Sequence, residues 1–304
     1  MRLDRDCTDD DGKCAAKRGY TGEDGKGGAK LVSWNRRTGA AAWAGCIFAL
    51  ILAIYIAGAL MPDGALRADF AKKSLPPSLE HIFGTDFLGR DMFVRTVKGL
   101  SLSLLVGTVA SCGAAVIALV VGVTAAMGRR WVDHVVNWII DLFMGVPHTV
   151  LIILVSIALS RGATGMLAGI ALTHWVGLAR IIRGEVLQIR SAEYIAVSRG
   201  FGKSAPWIAV HHILPHMVPQ FFVGLILLFP HAIMHESGLT FLGFGLGPEQ
   251  PAIGIILSES MRYISGGAAY LAILPGLSLV LLVLLIDRLG HTLRYLLEPK
   301  EAQL

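Results

Sequence analysis

The chain has 304 residues, of which 54% are hydrophobic and only 16% charged, and its mean hydropathy is +0.62. A soluble domain of this size carries about 25% charged residues, so the composition excludes an ordinary soluble enzyme or binding module. The net charge of +5 and the pI near 9.1 do not signal nucleic acid, because the basic residues fall in clusters between long uncharged runs.

Residues 1–30 are rich in Gly and charge, a composition that predicts a disordered tail. Trp34, Arg36 and Arg37 follow as interfacial anchors. Six runs then contain no Asp, Glu, Lys or Arg: 40–61, 99–128, 142–160, 162–179, 216–235 and 263–286. Each approaches or exceeds the about 18–20 apolar residues that cross a hydrocarbon core as a helix. A helix satisfies its own backbone hydrogen bonds in lipid, so the runs predict six helical spans. No signal peptide precedes the first, which is expected to stay as an anchor.

With six spans, both termini share one side of the membrane. That side holds 19 of the 27 Lys and Arg, which predicts that both termini are cytoplasmic. Cys7 and Cys14 lie in the tail and Cys46 and Cys112 in spans. None has a close metal-binding spacing, and free thiols are expected.

The second run is rich in Gly, Ala and Ser, which suits close helix packing. Gly128-Arg129-Arg130-Trp131 closes it, and 133–138 is a short amphipathic stretch leading into the third run. Arg161 marks a tight hairpin between the third and fourth. The outer connection 236–262 is rich in Gly and Pro but still apolar, which predicts a segment packed on the bundle. Pro147, Pro219, Pro230 and Pro275 lie in spans, where they kink helices.

The fourth connection is polar and basic. Residues 193–215 read EYIAVSRGFGKSAPWIAVHHILP. A short helix over 192–199 is predicted to end at glycines, which supply a left-handed residue. A second begins at Ser204-Ala205-Pro206, with Ser204 as N-cap and Pro near N1. The stretch resembles the cytoplasmic coupling loop of ABC importer permeases, written EAA-x3-G-x9-I-x-LP. Ala196-Val197-Ser198 takes the EAA slot, Gly202 the glycine, His212 the Ile slot and Leu214-Pro215 the ending. Glu193 stands three residues before the slot where the leading Glu is missing.

Three further matches narrow the family. Residues 84–91, GTDFLGRD, resemble the GTDxxGRD signature of permeases for dipeptides, oligopeptides and nickel. Residues 239–245, LTFLGFG, resemble that family's LSFLGLG, and 287–299 its C-terminal ending. Ile253-Gly254 departs from the Trp-Gly of many relatives. The pattern is that of the second, C-type permease of a pair.

The resemblance implies an all-α polytopic membrane protein with about six transmembrane helices, like the type I ABC importer permease. The layout implied is a cytoplasmic tail over 1–38, a first helix over 39–61 and an extracytoplasmic segment over 62–98. A permease core follows over 99–295, with its coupling loop at 193–215, and then a cytoplasmic tail over 296–304. Implied partners are a second permease, two ATP-binding subunits, an extracytoplasmic binding protein and membrane lipid, with no nucleic acid and no cofactor. Glu193, Ala196, Ser198, Arg199, Gly202, Leu214 and Pro215 are then the ATPase-coupling residues. Asp86, Gly89, Arg90 and Asp91 form the outer-face motif. It is either a fixed turn with a local ion-pair set that orients the second span or a substrate contact.

No GxxxxGK[ST] occurs, so ATP hydrolysis is expected of partners. His231 and His235 share a helical face at i and i+4, a spacing that either chelates a metal or lines a polar lumen. Glu236, beside them, is expected to face protein or the lumen; all three are candidates for the substrate path. His148 and His174 also fall in or near spans. His235-Glu236 does not continue into HExxH, which argues against a zincin-type protease. The rival reading is an ion-coupled carrier without ATPases; its mid-membrane charge pairs and inverted repeats are not visible.

Overall fold

The computed structural model describes residues 26–62, 67–159 and 162–297, with the backbone alone at 26–36. The expectations for the tail before residue 26, for the side chains of Trp34 and Arg36, for Arg161, and for Glu298-Pro299 lie outside the described residues. The chain divides into two units, Met1–Gly39 and Ala40–Leu304; the first contributes the opening of a helix, and all that follows belongs to the second.

Ten α-helices make up the described residues: α1 (Lys26–Leu60), α2 (Met92–Met127), α3 (Arg130–Gly145), α4 (His148–Leu159), α5 (Ala163–Arg190), α6 (Glu193–Gly200), α7 (Ala205–Ile208), α8 (Leu214–Phe241), α9 (Ile253–Ser260) and α10 (Tyr270–Leu297). A π-turn at Ala209–Ile213 joins α7 to α8, so one run of 37 residues extends from Ala205 to Phe241. Among the described residues the one extended pairing is an isolated bridge between Thr85 and Asp91. The fold is all-α and polytopic. Five helical stretches are long and apolar enough to cross a membrane, and α3 with α4 makes a sixth if that bent pair is one span.

The small residues of α2 explain its place at the centre of the bundle. Ala110, Ala114, Ala115 and Ala118 are fully enclosed. At Gly122 a Cβ would stand 2.9 Å from the Ala179 carbonyl of α5. Backbones can approach this closely only where side chains are absent or a single methyl. Ile182, Val186 and Trp175 of α5 fill the facing positions. Both described cysteines, Cys46 and Cys112, are free thiols.

Four boundaries differ from the sequence expectation. Helix α1 begins at Lys26, inside the stretch expected as a disordered tail and before the expected start of the first helix at 39. Helix α2 starts at Met92, seven residues before the uncharged run, and carries Arg95 and Lys98 inward although both are buried. The third run is not one straight span. It breaks at Val146-Pro147 with a bend of 102°, because Pro147 lacks an N–H and forces Val146 into the extended region. The amphipathic stretch of 133–138 is correspondingly longer, the whole of α3, and Asp133 joins it to α5 through Arg183 with contacts of 2.5 and 2.7 Å. Finally α10 begins at Tyr270 and not at Tyr263, since Gly266 and Gly267 form a turn, the latter at φ 85°. Helix α9 accounts for the apolar connection 236–262: Ile253, Ile255 and Ile256 are buried, and Gly254 packs on the backbone of Ser237 and Phe241, where a Cβ would collide.

Candidate functional site

Three places hold the residues singled out from sequence. The first is the turn region 193–215 at one end of the bundle. Helix α6 ends at Gly200 with Phe201 as its C-cap, and Gly202 takes φ 77°, the left-handed conformation that glycine adopts at little cost. Pro206 sits at the start of α7, and Ser204 occupies the N-cap position without a side-chain cap bond. Ile195, Ile208 and Ile213 are fully buried and fasten the inner side of this knob to the core that includes Ile189 and Val186. Arg190 donates to the Ala126 carbonyl of α2 at 2.7 Å, closing the base. Across the knob Ser198 Oγ and His212 Nε2 lie 3.1 Å apart.

The outer side of the knob is open. Glu193, Ala196, Arg199, Gly202 and Pro215 are exposed, and Leu214 and Ser198 are half-buried. Phe201 is 80% and Val197 57% exposed, large apolar surfaces on a turn with no covering element. Lys203 lies over the Trp207 ring at 4.5 Å, and Trp207 stacks on His211 at 4.2 Å. Val197 was met in the sequence only as the middle of the EAA slot, and Phe201 was not singled out, since a lone apolar residue in a polar loop has no periodicity to mark its exposure.

The second place is the GTDFLGRD segment at the opposite end. Asp86 is 3% exposed. It accepts from the Leu88 and Arg90 amides at 2.8 and 2.9 Å, from Arg90 Nε at 2.6 Å and from Arg95 at 2.9 Å. The two guanidiniums reach on to Glu259 of α9, at 3.2 and 2.9 Å. The expected local set is therefore corrected. Asp86 and Arg90 are partners, but Arg95 and Glu259 complete the network, and Asp91 is not in it. Asp91 instead N-caps α2 through the Phe93 and Val94 amides and accepts from or pairs with His81 Nδ1 at 2.7 Å. This network explains how α2 starts early with a buried Arg95, whose charge it neutralises. Gly89, at φ 78°, lies against the Asp69 carbonyl, where a Cβ would collide.

The third place is a hollow along α5 and α8. Near the knob end a cavity of about 980 Å³ is lined by Glu185, Gln188, His216, Gln220, His231 and Arg294 together with apolar residues. A second, of about 650 Å³, continues from it past the shared residues Gly177, Leu228 and His231 to the bend between α3 and α4. His231 and His235 both line this second cavity, as do His148 and His174. Glu236 does not. It is fully buried on the other side of α8, accepting from Ser103 of α2 at 2.7 Å, Ser237 at 3.0 Å and Thr240 at 3.1 Å. The hydroxyls satisfy a carboxylate that faces protein, so Glu236 leaves the set of cavity residues.

The expected His231–His235 pair is also revised. The ring nitrogens that come within 4.8 Å of one another belong to His148, His174 and His235, not His231. Sequence spacing shows only neighbours on one helix; His148 and His174 join because the bend at Pro147 aims the start of α4 at the middle of α5.

A model of the family described as "binding-protein-dependent transport system inner membrane component" matches residues 118–300. The dipeptide transport system permease protein DppC of Bacillus subtilis is 33% identical over 84% of this chain and 79% of its own length. DppC of Alkalihalophilus pseudofirmus is 35% identical over 74% of this chain and 73% of its own. A putative peptide transport system permease of Brucella suis is 31% identical over 83% and 86%. Among solved structures, an inward-facing crystal form of the MetNI methionine ABC transporter shares the fold at a TM-score of 0.55 and 20% identity, covering 67% of this chain and 97% of the matched one. An all-helical polytopic bundle, two thirds of it superimposable on a transporter subunit, thus carries a family match over more than half its length: the chain belongs to the binding-protein-dependent inner membrane components, the permeases of ABC importers.

Proposed function

We propose that this chain is one of two permease subunits that together enclose the path of an ATP-driven importer for dipeptides or oligopeptides. The observation that carries the reading is the hollow along α5 and α8, open on one side and continuous from the knob end to the bend at Pro147. One wall of a channel has this form, and a second homologous permease supplies the other. The cargo class rests on the relatives, several of which are named for dipeptide or peptide transport. An extracytoplasmic binding protein delivers cargo at the GTDFLGRD end. Two ATP-binding subunits receive the knob 193–215, whose exposed Phe201 and Val197 form an apolar anchor of the kind that carries binding energy at an interface. ATP hydrolysis belongs to those subunits. The Lys/Arg asymmetry supports a location in the cytoplasmic membrane with the knob and both termini cytoplasmic. Family membership disfavours the ion-coupled carrier. A nickel or nickel-chelate cargo has one observation in its favour, the imidazoles that line the cavity.

Gly202→Val in the reconstituted importer tests the reading. Valine resists the left-handed conformation, and at 202 no atom lies within 4 Å to report a packing defect. The variant is expected to stay in the membrane, to lose uptake of a labelled dipeptide, and to hydrolyse ATP without stimulation by the loaded binding protein. In intact cells a cysteine at 203 should be protected from an impermeant thiol reagent that reacts at 78. Wild-type uptake and stimulation would overturn the coupling role, and labelling at 203 the orientation.

A further inference from the structure

We propose that His148, His174 and His235 form a binding site for a divalent late first-row transition-metal ion within the cavity. The inference rests on the importer reading only in placing that site on a transport path; the site itself stands on geometry. The three residues come from three helices, α4, α5 and α8, and meet at one point. His148 Nε2 lies 3.3 Å from both ring nitrogens of His174, and one ring nitrogen from each of the three residues falls within 4.8 Å of the other two. Nitrogens bound to one ion at about 2.1 Å stand about 3.0–3.4 Å apart, so a small closure of His235 brings all three within ligating distance of one ion.

The surroundings of His174 favour ligation. Its Nδ1 is 3.0 Å from the Ile170 carbonyl one turn earlier and 3.3 Å from Thr173 Oγ1. A carbonyl can only accept, so the proton sits on Nδ1 and Nε2 is the ring nitrogen left with a lone pair to ligate. Metal-bound histidines are held by the same kind of outer hydrogen bond. Imidazole donors suit Co²⁺, Ni²⁺, Cu²⁺ and Zn²⁺ and not Mg²⁺ or Ca²⁺. Three protein ligands leave coordination positions open toward the cavity of about 650 Å³, unlike a closed structural site. No carboxylate belongs to the group, since Glu236 is turned toward α2. An ion held by neutral ligands alone keeps its full charge, which suits passage or exchange over permanent retention.

The test uses the full chain assembled with its partner subunits in lipid nanodiscs, free of any polyhistidine tag. Co²⁺ is titrated in and its visible d–d bands are followed. One Co²⁺ per chain is expected, displaced by Zn²⁺. His174→Ala and His235→Asn should each weaken binding by about 10–100-fold or more, the range seen even for outer-shell partners, while His231→Ala retains the bands. His235→Asn keeps size and polarity and guards against misfolding, and assembly is checked by size-exclusion chromatography. Absence of Co²⁺ bands, or bands unchanged in His174→Ala and His235→Asn, overturns the site. Dipeptide uptake measured after the same complexes are reconstituted into liposomes separates this failure from failure of the importer reading.

Discussion

Gly89 and Gly202 have nearly the same backbone conformation, φ 78° and 77°, in opposite surroundings. Gly89 is pressed against the Asp69 carbonyl, inside a segment whose charged groups are bonded to one another. Gly202 has nothing within 4 Å, on a knob that leaves Phe201 and Val197 exposed. The outer motif is a closed lock and the knob an open handle. A family motif thus marks two different things: internal bonding at one end, and an exposed surface at the other.

The comparison breaks most visibly at Asp86. Asp86→Ala would leave Arg95, 4% exposed, with Glu259 alone for two guanidiniums. Removing one member of a buried ionic set costs about 3–5 kcal/mol. Thermal unfolding of the purified chain should shift accordingly, and an unchanged melting temperature would show that the network is not a lock.

The matched pair Gly89→Ala and Gly202→Ala sharpens it. Both lose about 1–2 kcal/mol from the left-handed conformation, but Gly89→Ala adds about 1–3 kcal/mol of overpacking against Asp69. Equal losses in denaturant or thermal titrations would contradict the difference drawn here.

The smallest effect is expected at the rim of the lock, where Lys72 donates to Glu80 at 2.7 Å in full exposure. That bond holds the Glu80 carboxyl below its ordinary 4.5 and the Lys72 ammonium above its ordinary 10.5. The Glu80 contribution is complete above pH 4.5 and fades as pH falls through the lowered folded value; that of Lys72 is complete below 10.5 and fades as pH rises through the raised one. Glu80→Gln should therefore leave stability at neutral pH unchanged within error, because exposed pairs are screened, and flatten only the acid and alkaline edges of the profile. A clear loss at pH 7 would place Lys72–Glu80 inside the lock.

Hydropathy alone determined the class of this protein. Runs without charge must be helical in lipid, and the local glycine and proline signals at 193–215 predicted a helix–turn–helix whose turn residue, Gly202, is left-handed in the structure. These features depend on neighbours in sequence, where backbone sterics and hydrogen-bond satisfaction act. Tertiary structure decided what long-range partners decide. Arg95 reads as a charge ending a span until Asp86 and Glu259, the latter 164 residues away, neutralise it and let α2 begin at Met92. His231 and His235 read as a pair, yet the bend at Pro147 carries His148 to His174 and His235 and leaves His231 out. Glu236, one residue along, turns to Ser103, because adjacent residues on a helix point about 100° apart and only the packing of α2 against α8 fixes which of them meets the cavity.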